Sequence, residues 1–201
     1  MSHYFINDDS LKSEKRIIKY TINSHYFELT SDIGVFSKNE LDPGSELLIK
    51  TAIKEGINGD LLDVGCGYGP IGITLSKICD LDKVDFIDVN LRALNLTKEN
   101  AAKYQIKNFN VFESNGFENV EDLYDYILIN PPIRAGKEVI FKMFEDSIKY
   151  LKKDGILMIV IRKDQGAPSA KKKLSELYGN CETLDREKGY HILVCKKNKE
   201  N

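Results

Sequence analysis

Two short motifs of the chain contain residue types that could do chemistry at defined places. In the first, Asp63 stands two residues before Gly65 in the run Asp-Val-Gly-Cys-Gly-Tyr-Gly, which follows an apolar segment. In the second, the run Asn-Pro-Pro-Ile begins at Asn130 and follows another apolar segment. Alternating glycines let a backbone turn sharply and approach a ligand closely. We therefore predict a nucleotide-type cofactor at the first motif and an amino group to be modified at the second.

The glycine motif also contains the dinucleotide spacing G-x-G-x-x-G, between Gly67 and Gly72. In dinucleotide sites, however, the first glycine makes the turn directly after the strand, and here that glycine is Gly65. Asp63 would repel a pyrophosphate but would attract a cationic amine, such as that of S-adenosylmethionine. Asp88 ends the next predicted strand, 23 residues after Gly65, where it can accept hydrogen bonds from ribose hydroxyls. We therefore favour S-adenosylmethionine over NAD as the cofactor.

The Asn-Pro-Pro motif suits the methylation of an amine whose lone pair is conjugated into a base ring. The amine nitrogen must become more tetrahedral as it attacks, and acceptors aimed at both of its hydrogens stabilise the charge that develops on it. The side-chain carbonyl of Asn130 and the backbone carbonyl of Pro131 are such acceptors. Pro131 and Pro132 also remove two N–H donors that would be wrongly polarised. The motif therefore predicts an exocyclic amine as the methyl acceptor.

From residue 60 onward, the chain alternates between strand and helix patterns. Nearly continuous apolar runs are typical of parallel strands that are covered on both faces. Such runs occupy residues 61–64, 84–89, 110–113, 126–130 and 156–161. Helical periodicity occupies residues 70–79, 91–103 and 137–152, and the basic residues and glycine at 152–155 predict the end of the last helix. The pattern predicts a doubly wound, Rossmann-like α/β fold.

Antiparallel strands are predicted at both ends of this pattern. Residues 18–22 and 26–29 flank Asn23 and Ser24 and predict a β-hairpin. Residues 181–185 and 190–195 are separated by a turn so short that the two strands must be antiparallel. Between the first hairpin and the glycine motif, Asp42 and Pro43 predict the cap and first residue of a helix. We divide the chain into an N-terminal β appendage, residues 1–40, and one α/β domain, residues 41–201.

Length, composition and the spacing of cysteines favour a single-domain cytoplasmic protein with reduced thiols. The 201 residues suffice for one domain, no apolar run is long enough to span a membrane, and the first residues lack a signal-peptide pattern. The four cysteines are scattered without a Cys-x-x-Cys pair, which favours reduced thiols in a cytoplasmic protein and no metal site. Residues 149–173 contain eight basic and two acidic residues. This segment is interpreted as a solvated face, with a phosphate-binding edge as the alternative.

Together, the two motifs and the run Asp-Val-Asn at Asp88 resemble class I methyltransferases that act on exocyclic amines. Residues 34–37, followed by Leu-Asp-Pro-Gly-Ser at 41–45, are similar to the methyltransferase small domain family. Members of that family include the RsmC-like guanine-N2 methyltransferases of small-subunit (16S) ribosomal RNA. The resemblance covers residues 16–195 and implies a seven-stranded sheet that ends in the antiparallel hairpin inferred above. It implies S-adenosylmethionine as the cofactor, and ribosomal RNA or the small ribosomal subunit as the partner.

The resemblance also assigns roles to individual residues. It implies that the residues that hold the target amine are Asn130, Pro131, Pro132 and Ile133. It implies that the cofactor-binding residues are Phe36, Asp63, Gly65, Cys66, Gly67, Gly69, Asp88, Val89, Asn115 and Asn130. Among these, the aspartate at 63 and the glycines line the methionine end, the aspartate at 88 holds the ribose, the asparagine at 115 lies near the adenine, and the phenylalanine at 36 closes over the site.

Three features differ from the family pattern. Asn115 replaces an aspartate, Ile133 stands where many relatives have a stacking Phe or Tyr, and the chain has one copy of a domain that the ribosomal members carry twice. Arg134 follows the motif and is either a phosphate contact or a surface residue. Two alternatives to ribosomal RNA methylation stay open: methylation of a protein glutamine, and a non-catalytic RNA-binding or assembly module. The oligomeric state is left open, with a monomer favoured.

Overall fold

The parallel strands of the central sheet bring their carboxyl ends to one edge, and this edge positions the candidate site. The computed structural model describes residues 13–35 and 40–198. Its strands are β1 (Arg16–Ile22), β2 (His25–Ser31), β3 (Asn58–Val64), β4 (Asp80–Asp88), β5 (Phe109–Glu113), β6 (Tyr124–Ile129), β7 (Leu151–Arg162), β8 (Glu182–Glu187) and β9 (Tyr190–Lys196). Its α-helices are α1 (Pro43–Lys54), α2 (Pro70–Ile78), α3 (Leu91–Lys103), α4 (Lys137–Ser147) and α5 (Ala167–Tyr178).

The central sheet has seven strands in the order β5-β4-β3-β6-β7-β9-β8. The first five strands in that order are parallel to one another. Strand β9 runs antiparallel to both β7 and β8. The predicted seven-stranded, doubly wound sheet with an antiparallel hairpin at its end is therefore confirmed.

Alternate residues of the central strands pack against two different groups of helices. Leu61 belongs to the apolar cluster that contains α1, α2 and α3, whereas its neighbour Leu62 belongs to the cluster that contains α4 and α5. On β7, Met158 and Ile159 divide between the same two clusters. The apolar runs are nearly continuous because both faces of the sheet are covered.

The predicted N-terminal hairpin is also present, as β1 and β2 in a separate two-stranded sheet. Its turn residues Asn23 and Ser24 have φ angles of 46° and 65°, which suit a type I′ hairpin turn. The hairpin packs on α3, where the Asn100 side chain donates to the Thr30 carbonyl at 2.9 Å and accepts from the Thr30 amide at 2.8 Å. Ile18 belongs to the same apolar cluster as α1, α2 and α3.

The prediction of a helix over residues 137–152 is wrong at its carboxyl end. Helix α4 ends at Ser147, a 3-10 turn covers Ile148–Tyr150, and β7 begins at Leu151, which pairs with Tyr124 of β6. Gly155, which was expected to stop the helix, lies inside β7, where an added Cβ would come within 3.0 Å of the Tyr124 carbonyl oxygen. The helical spacing of apolar residues extends to Leu151 in the sequence, because Leu151 is buried as well. It is buried, however, as the first residue of a strand and not as part of the helix.

Candidate functional site

The glycine loop joins β3 to α2 in a conformation that favours glycine at three positions. Gly65, Gly67 and Gly69 have φ angles of 70°, 60° and 87°, in the left-handed region that other residues avoid. A Cβ at Gly69 would lie 2.8 Å from the Ile73 side chain, whereas a Cβ at Gly65 or Gly67 would have no atom of the described residues within 4 Å, apart from its chain neighbours. The first two glycines therefore leave open space beside the loop, as a ligand cradle requires.

Hydrogen bonds from the neighbouring elements fix the loop. The backbone amides of Gly65 and Cys66 donate to the Ile87 carbonyl at 2.9 and 3.0 Å. The Thr97 hydroxyl of α3 donates to the Gly67 carbonyl at 2.8 Å. These bonds tie the loop to both β4 and α3.

Cys66 lies inside this loop as a neutral thiol. It is buried, and burial raises the pKa of its thiol well above the usual value, as do the nearby carboxylates of Asp88 and Asp63. A protonated thiol is a poor nucleophile. Cys66 therefore contributes to the loop through its backbone and its small size.

Asp63 contains a buried carboxylate oxygen that lacks a hydrogen-bond partner. The residue is 1% exposed, and its Oδ2 atom accepts from the Gly72 amide at 2.9 Å. Its Oδ1 atom is buried and makes no hydrogen bond within the described ranges. Burial raises the pKa of Asp63 to about 7, against the lowering effect of the Gly72 bond and with a further increase from Asp88. Since buried polar atoms are normally paired, the orphaned oxygen fits a cationic donor such as an amine.

Asp88 ends β4 beside the same loop. Its Oδ2 atom accepts from the Gly67 amide at 2.9 Å, and its Oδ1 atom accepts from the Asn90 amide at 2.9 Å. These two bonds hold the carboxylate beside the glycine loop, where the ribose contact is predicted for this residue. Val89 lies between Asp88 and the Asn90 cap of α3, so it is placed at the same sheet edge.

Asn115 follows β5, the next strand along the sheet. The side chain is exposed, and its amide donates to Glu118 at 3.1 Å. The preceding residue, Ser114, donates its backbone amide to the Asp88 carbonyl at 3.0 Å, which brings this loop beside the Asp88 end of the site. Phe36 lies outside the described residues, and its role as a lid stays a prediction.

Asn130 follows β6 and is held by the amino end of α1. Its Nδ2 group donates to Asp42 Oδ2 at 2.8 Å and to Ser45 Oγ at 2.9 Å. Asp42 is at the same time the N-cap of α1, since Oδ2 also accepts from the Ser45 amide at 2.8 Å. The Asn130 carbonyl oxygen therefore remains as the acceptor that can face a substrate.

Sequence reasoning did not identify Asp42 and Ser45 as residues of the site. The Asp-Pro pair was interpreted only as the start of a helix, which the structure confirms. The signal that could have identified them is the Leu-Asp-Pro-Gly-Ser run. This run contributes to the family resemblance, yet the resemblance assigns it no role in the site.

The remaining residues of the Asn-Pro-Pro motif form a short turn. Pro131 is buried, and the Ala135 amide donates to the Pro132 carbonyl at 2.8 Å. Ile133 is half-buried and packs against the cluster that contains α4 and α5, whereas Arg134 is exposed. Ile133 thus serves partly as a packing residue.

An aromatic residue lies against the amino end of α1, and it comes from β9. Tyr190 pairs with Arg162 at the end of β7, and the Arg162 guanidinium lies 5.6 Å from the Tyr190 ring centroid. A Cβ at Gly44 would lie 2.8 Å from the Tyr190 ring. The ring therefore lies against the first turn of α1, directly beside the residues that hold Asn130.

The basic residues of 149–173 do not form one continuous edge. Lys152, near the start of β7, contacts Asp60 at 2.7 Å and Asp125 at 2.8 Å. Arg162 ends the same strand, roughly 20–25 Å away because β7 is irregular between Leu151 and Ile156, and pairs with Asp164 at 3.0 Å. This separation favours the solvated-face interpretation over the phosphate-binding edge.

Among the described residues there is neither a metal-binding cluster nor a membrane-spanning helix. Within residues 13–35 and 40–198, the His, Cys, Asp and Glu side chains form no group of three that could hold a metal ion. In the same ranges, no helix is both long enough and apolar enough to cross a membrane.

Comparisons with known proteins agree with this geometry. The family model for the methyltransferase small domain matches residues 26–194. The protein YbxB of Bacillus subtilis (strain 168) is 45% identical over 197 residues, which are 97% of this chain and 98% of YbxB. The ribosomal RNA small subunit methyltransferase C of Vibrio vulnificus (strain CMCP6) is 32% identical over 184 residues, which are 89% of this chain and 52% of that protein.

Among solved structures, the fold is similar to the T. thermophilus 16S rRNA N2 G1207 methyltransferase (RsmC) in complex with AdoMet and guanosine. The TM-score is 0.83 at 22% identity, and the match covers 94% of this chain and 52% of that one. The chain thus spans about half the length of the methyltransferase C relatives that it matches.

Proposed function

The chain belongs to the methyltransferase small domain family, and from that membership we propose that it transfers a methyl group from S-adenosylmethionine to an exocyclic amine of ribosomal RNA. One observation carries the proposal. Asp63, with its orphaned Oδ1 atom, lies in β3, and Asn130 directly follows the adjacent parallel strand β6. Val64 pairs with Ile129, so the glycine loop and Asn130 begin side by side, at strands about 4.8 Å apart.

On the cofactor side, the residues bind and orient. Asp63 Oδ1 accepts from the cationic amine, and the open sides of Gly65 and Gly67 admit the methionine end. Asp88 accepts from the ribose hydroxyls, and Asn115 meets the adenine edge. When bound, S-adenosylmethionine supplies a methyl group on a positively charged sulfur.

On the acceptor side, the residues hold the amine and favour its attack. The Asn130 side-chain carbonyl and the Pro131 backbone carbonyl accept from the two amine hydrogens. This contact draws the nitrogen lone pair out of conjugation and stabilises the positive charge that develops on the nitrogen. The two prolines keep N–H donors away from that nitrogen.

We assign the acceptor more finely to N2 of a guanine in small-subunit (16S) ribosomal RNA. Two features support this choice: relatives that are named ribosomal RNA small subunit methyltransferase C, and the T. thermophilus structure whose ligands are AdoMet and guanosine. The shared Asn-Pro-Pro chemistry requires an amine, and N2 is the exocyclic amine of guanine.

Transfer of labelled methyl groups tests the proposal. Purified protein is incubated with labelled S-adenosylmethionine and either naked 16S RNA or small subunits from cells that lack the gene, and the labelled nucleoside is identified by mass spectrometry. We expect N2-methylguanosine, and we expect Asn130→Ala to abolish it. Asn58→Ala is the matched control, because Asn58 is an exposed asparagine at the opposite end of the neighbouring strand β3.

Three other outcomes would contradict parts of the proposal. Label in a protein rather than in RNA would favour the glutamine alternative. A different methylated nucleoside would refute N2 of guanine while keeping the RNA. Failure to bind S-adenosylmethionine at millimolar concentration, measured by calorimetry, would favour the non-catalytic module.

A further inference from the structure

We propose that Asp42 and Ser45 are positioning residues for methyl transfer, which set the orientation and the polarity of the Asn130 amide. The inference rests on the proposed function, since it concerns the same acceptor. Asn130 Nδ2 has two hydrogens and two acceptors, Asp42 Oδ2 at 2.8 Å and Ser45 Oγ at 2.9 Å. With both hydrogens used in this way, the carbonyl oxygen faces away from α1.

This arrangement excludes the opposite orientation of the amide. A flipped Asn130 would place its carbonyl oxygen against the Asp42 carboxylate, and it would present an N–H donor to the substrate amine. Such a donor cannot accept an amine hydrogen. The Asp42 contact therefore selects the one orientation in which Asn130 can assist the attack.

The Asp42 charge also acts on the amide electronically. A carboxylate that accepts from Nδ2 polarises the amide, and hydrogen bonds in series strengthen one another in this way. More negative charge then resides on the Asn130 oxygen, which faces the nitrogen where positive charge develops in the transition state. Asp42 thereby acts on the substrate through Asn130.

Helix capping alone does not account for these contacts. Capping of α1 requires only the bond from the Ser45 amide to Asp42 Oδ2, which is 2.8 Å long. The bond to Asn130 links residues 88 positions apart, and the Ser45 hydroxyl is not needed for the cap. Since Asn, Asp and Ser are about equally good N-caps, the two roles can be separated by mutation.

Two substitutions at position 42 keep the cap and change the contact. Asp42→Asn removes the charge, and Asp42→Ser shortens the side chain so that it no longer reaches Asn130. We expect kcat to fall about tenfold for Asp42→Asn and about 100-fold for Asp42→Ser, as for the loss of hydrogen bonds to a charged group. The dissociation constant for S-adenosylmethionine, measured by calorimetry, is expected to stay within about twofold of the wild-type value, because Asp42 is not among the residues assigned to cofactor binding.

Glu46→Gln is the matched control. Glu46 lies in the first turn of α1 and contacts Lys50 at 2.5 Å. This substitution removes the same charge from the same helix end without touching Asn130, so we expect an unchanged kcat. An equal loss of kcat in Glu46→Gln and Asp42→Asn would overturn the inference, because the effect would then come from the helix.

A swap of the two side chains tests the coupling directly. Asn130→Asp alone places two carboxylates at hydrogen-bond distance and is expected to be nearly inactive. Adding Asp42→Asn removes the repulsion between the two carboxylates, and we expect the double variant to exceed the single variant Asn130→Asp at least about tenfold in kcat. A double variant no more active than Asn130→Asp would overturn the inference.

A readout that is independent of activity separates this inference from the proposed function. The side-chain NH2 resonances of Asn130 can be assigned by NMR from their loss in Asn130→Ala. We expect Asp42→Ser to shift them and to speed their exchange with solvent, and Glu46→Gln to leave them in place. Resonances unmoved in Asp42→Ser would overturn the positioning role. If they move while the wild type labels no RNA, the proposed function fails and the amide orientation stands.

Discussion

Asp63 accepts a 2.9 Å hydrogen bond from the backbone amide of Gly72 through one carboxylate oxygen, while its other oxygen is buried and has no partner among the described residues. The bond anchors the side chain across the glycine loop to the first turn of α2. Burial outweighs the bond, so the pKa of Asp63 rises to about 7. The carboxyl group is therefore close to half protonated at neutral pH until a cation reaches it, and several measurable properties depend on this.

The affinity for S-adenosylmethionine should depend on pH between 5.5 and 7. Below the pKa of Asp63, binding of the cationic amine must expel a proton, so we expect the dissociation constant to rise about tenfold for each unit of decreasing pH. The amine itself stays protonated in this range, because its pKa is about 7.7 or above. Calorimetry at pH 5.5 in buffers of different ionisation enthalpy should show the release of about one proton. An affinity that is flat over this range would refute the role of Asp63.

Asp63→Asn should stabilise the free protein at pH 8 and abolish cofactor binding. The folded-state pKa is raised, so the stabilisation due to the protonated carboxyl is complete below about pH 4 and is lost as the pH rises through 7. A pKa of about 7 against the ordinary 3.8 corresponds to about 4 kcal/mol as an upper bound on the gain at pH 8. The new amide can still accept from Gly72.

Thermal or urea unfolding at pH 4 and at pH 8 measures this difference. The gain in the free energy of unfolding should appear at pH 8 and vanish at pH 4. Asp80→Asn changes an exposed carboxyl at the far end of β4 and should have no such effect. An Asp63→Asn variant that is less stable than the wild type at pH 8 would contradict the prediction.

Alanine substitutions at two glycines should distinguish the loss of stability caused by a positive φ from the loss of cofactor affinity caused by a filled site. Gly67→Ala and Gly56→Ala both place alanine at a positive φ, 60° and 67°, with no atom near the added Cβ. Each should lower the free energy of unfolding by about 1–2 kcal/mol. Only Gly67→Ala should also weaken cofactor binding, because Gly56 lies after α1 and away from the site. Equal affinities in the two variants would show that the open side of Gly67 does not face the cofactor.

Thr97→Val should weaken cofactor binding, although Thr97 is not one of the residues assigned to contact the cofactor. The change keeps the shape of the side chain but removes the donor to the Gly67 carbonyl, a 2.8 Å bond, and it should lower the free energy of unfolding by about 1–3 kcal/mol. Thr51→Val is the control, because Thr51 is also buried and donates to the Leu47 carbonyl of its own helix. Chemical unfolding and calorimetry on both variants test the prediction, which fails if both bind the cofactor equally well.

The sequence predicted the parts of the site that depend on local chain order. Asp63, Asp88 and Asn130 were expected at one sheet edge because each follows an apolar run, and parallel strands end at the same edge. The bonds from Asn130 to Asp42 and Ser45 join residues 88 and 85 positions apart. They depend on how α1 packs on β7 and β9, which the spacing of residues in one chain does not encode.

The wrong boundary of α4 has a similar origin. Ile148 and Leu151 extend the apolar stripe of the helix in the sequence, but Leu151 is buried in β7 opposite Tyr124. A short apolar spacing fits either a helix end or a strand start, and only the partner strand decides between them. The position of Tyr190 is not predicted for the same reason, because its ring reaches the first turn of α1 from β9.

Strand β9 has a consequence for the order in which the protein is made. It runs opposite to its neighbour β7, so its first residue, Tyr190, arrives at the functional edge and lies against Gly44 at the start of α1. On the ribosome, every other described element of the site emerges before this ring does. A nascent chain that stops short of β9 leaves α1 without the ring that packs on its first turn. The packing around the first turn of α1, which holds Asn130, is therefore complete only after Tyr190 has been synthesised.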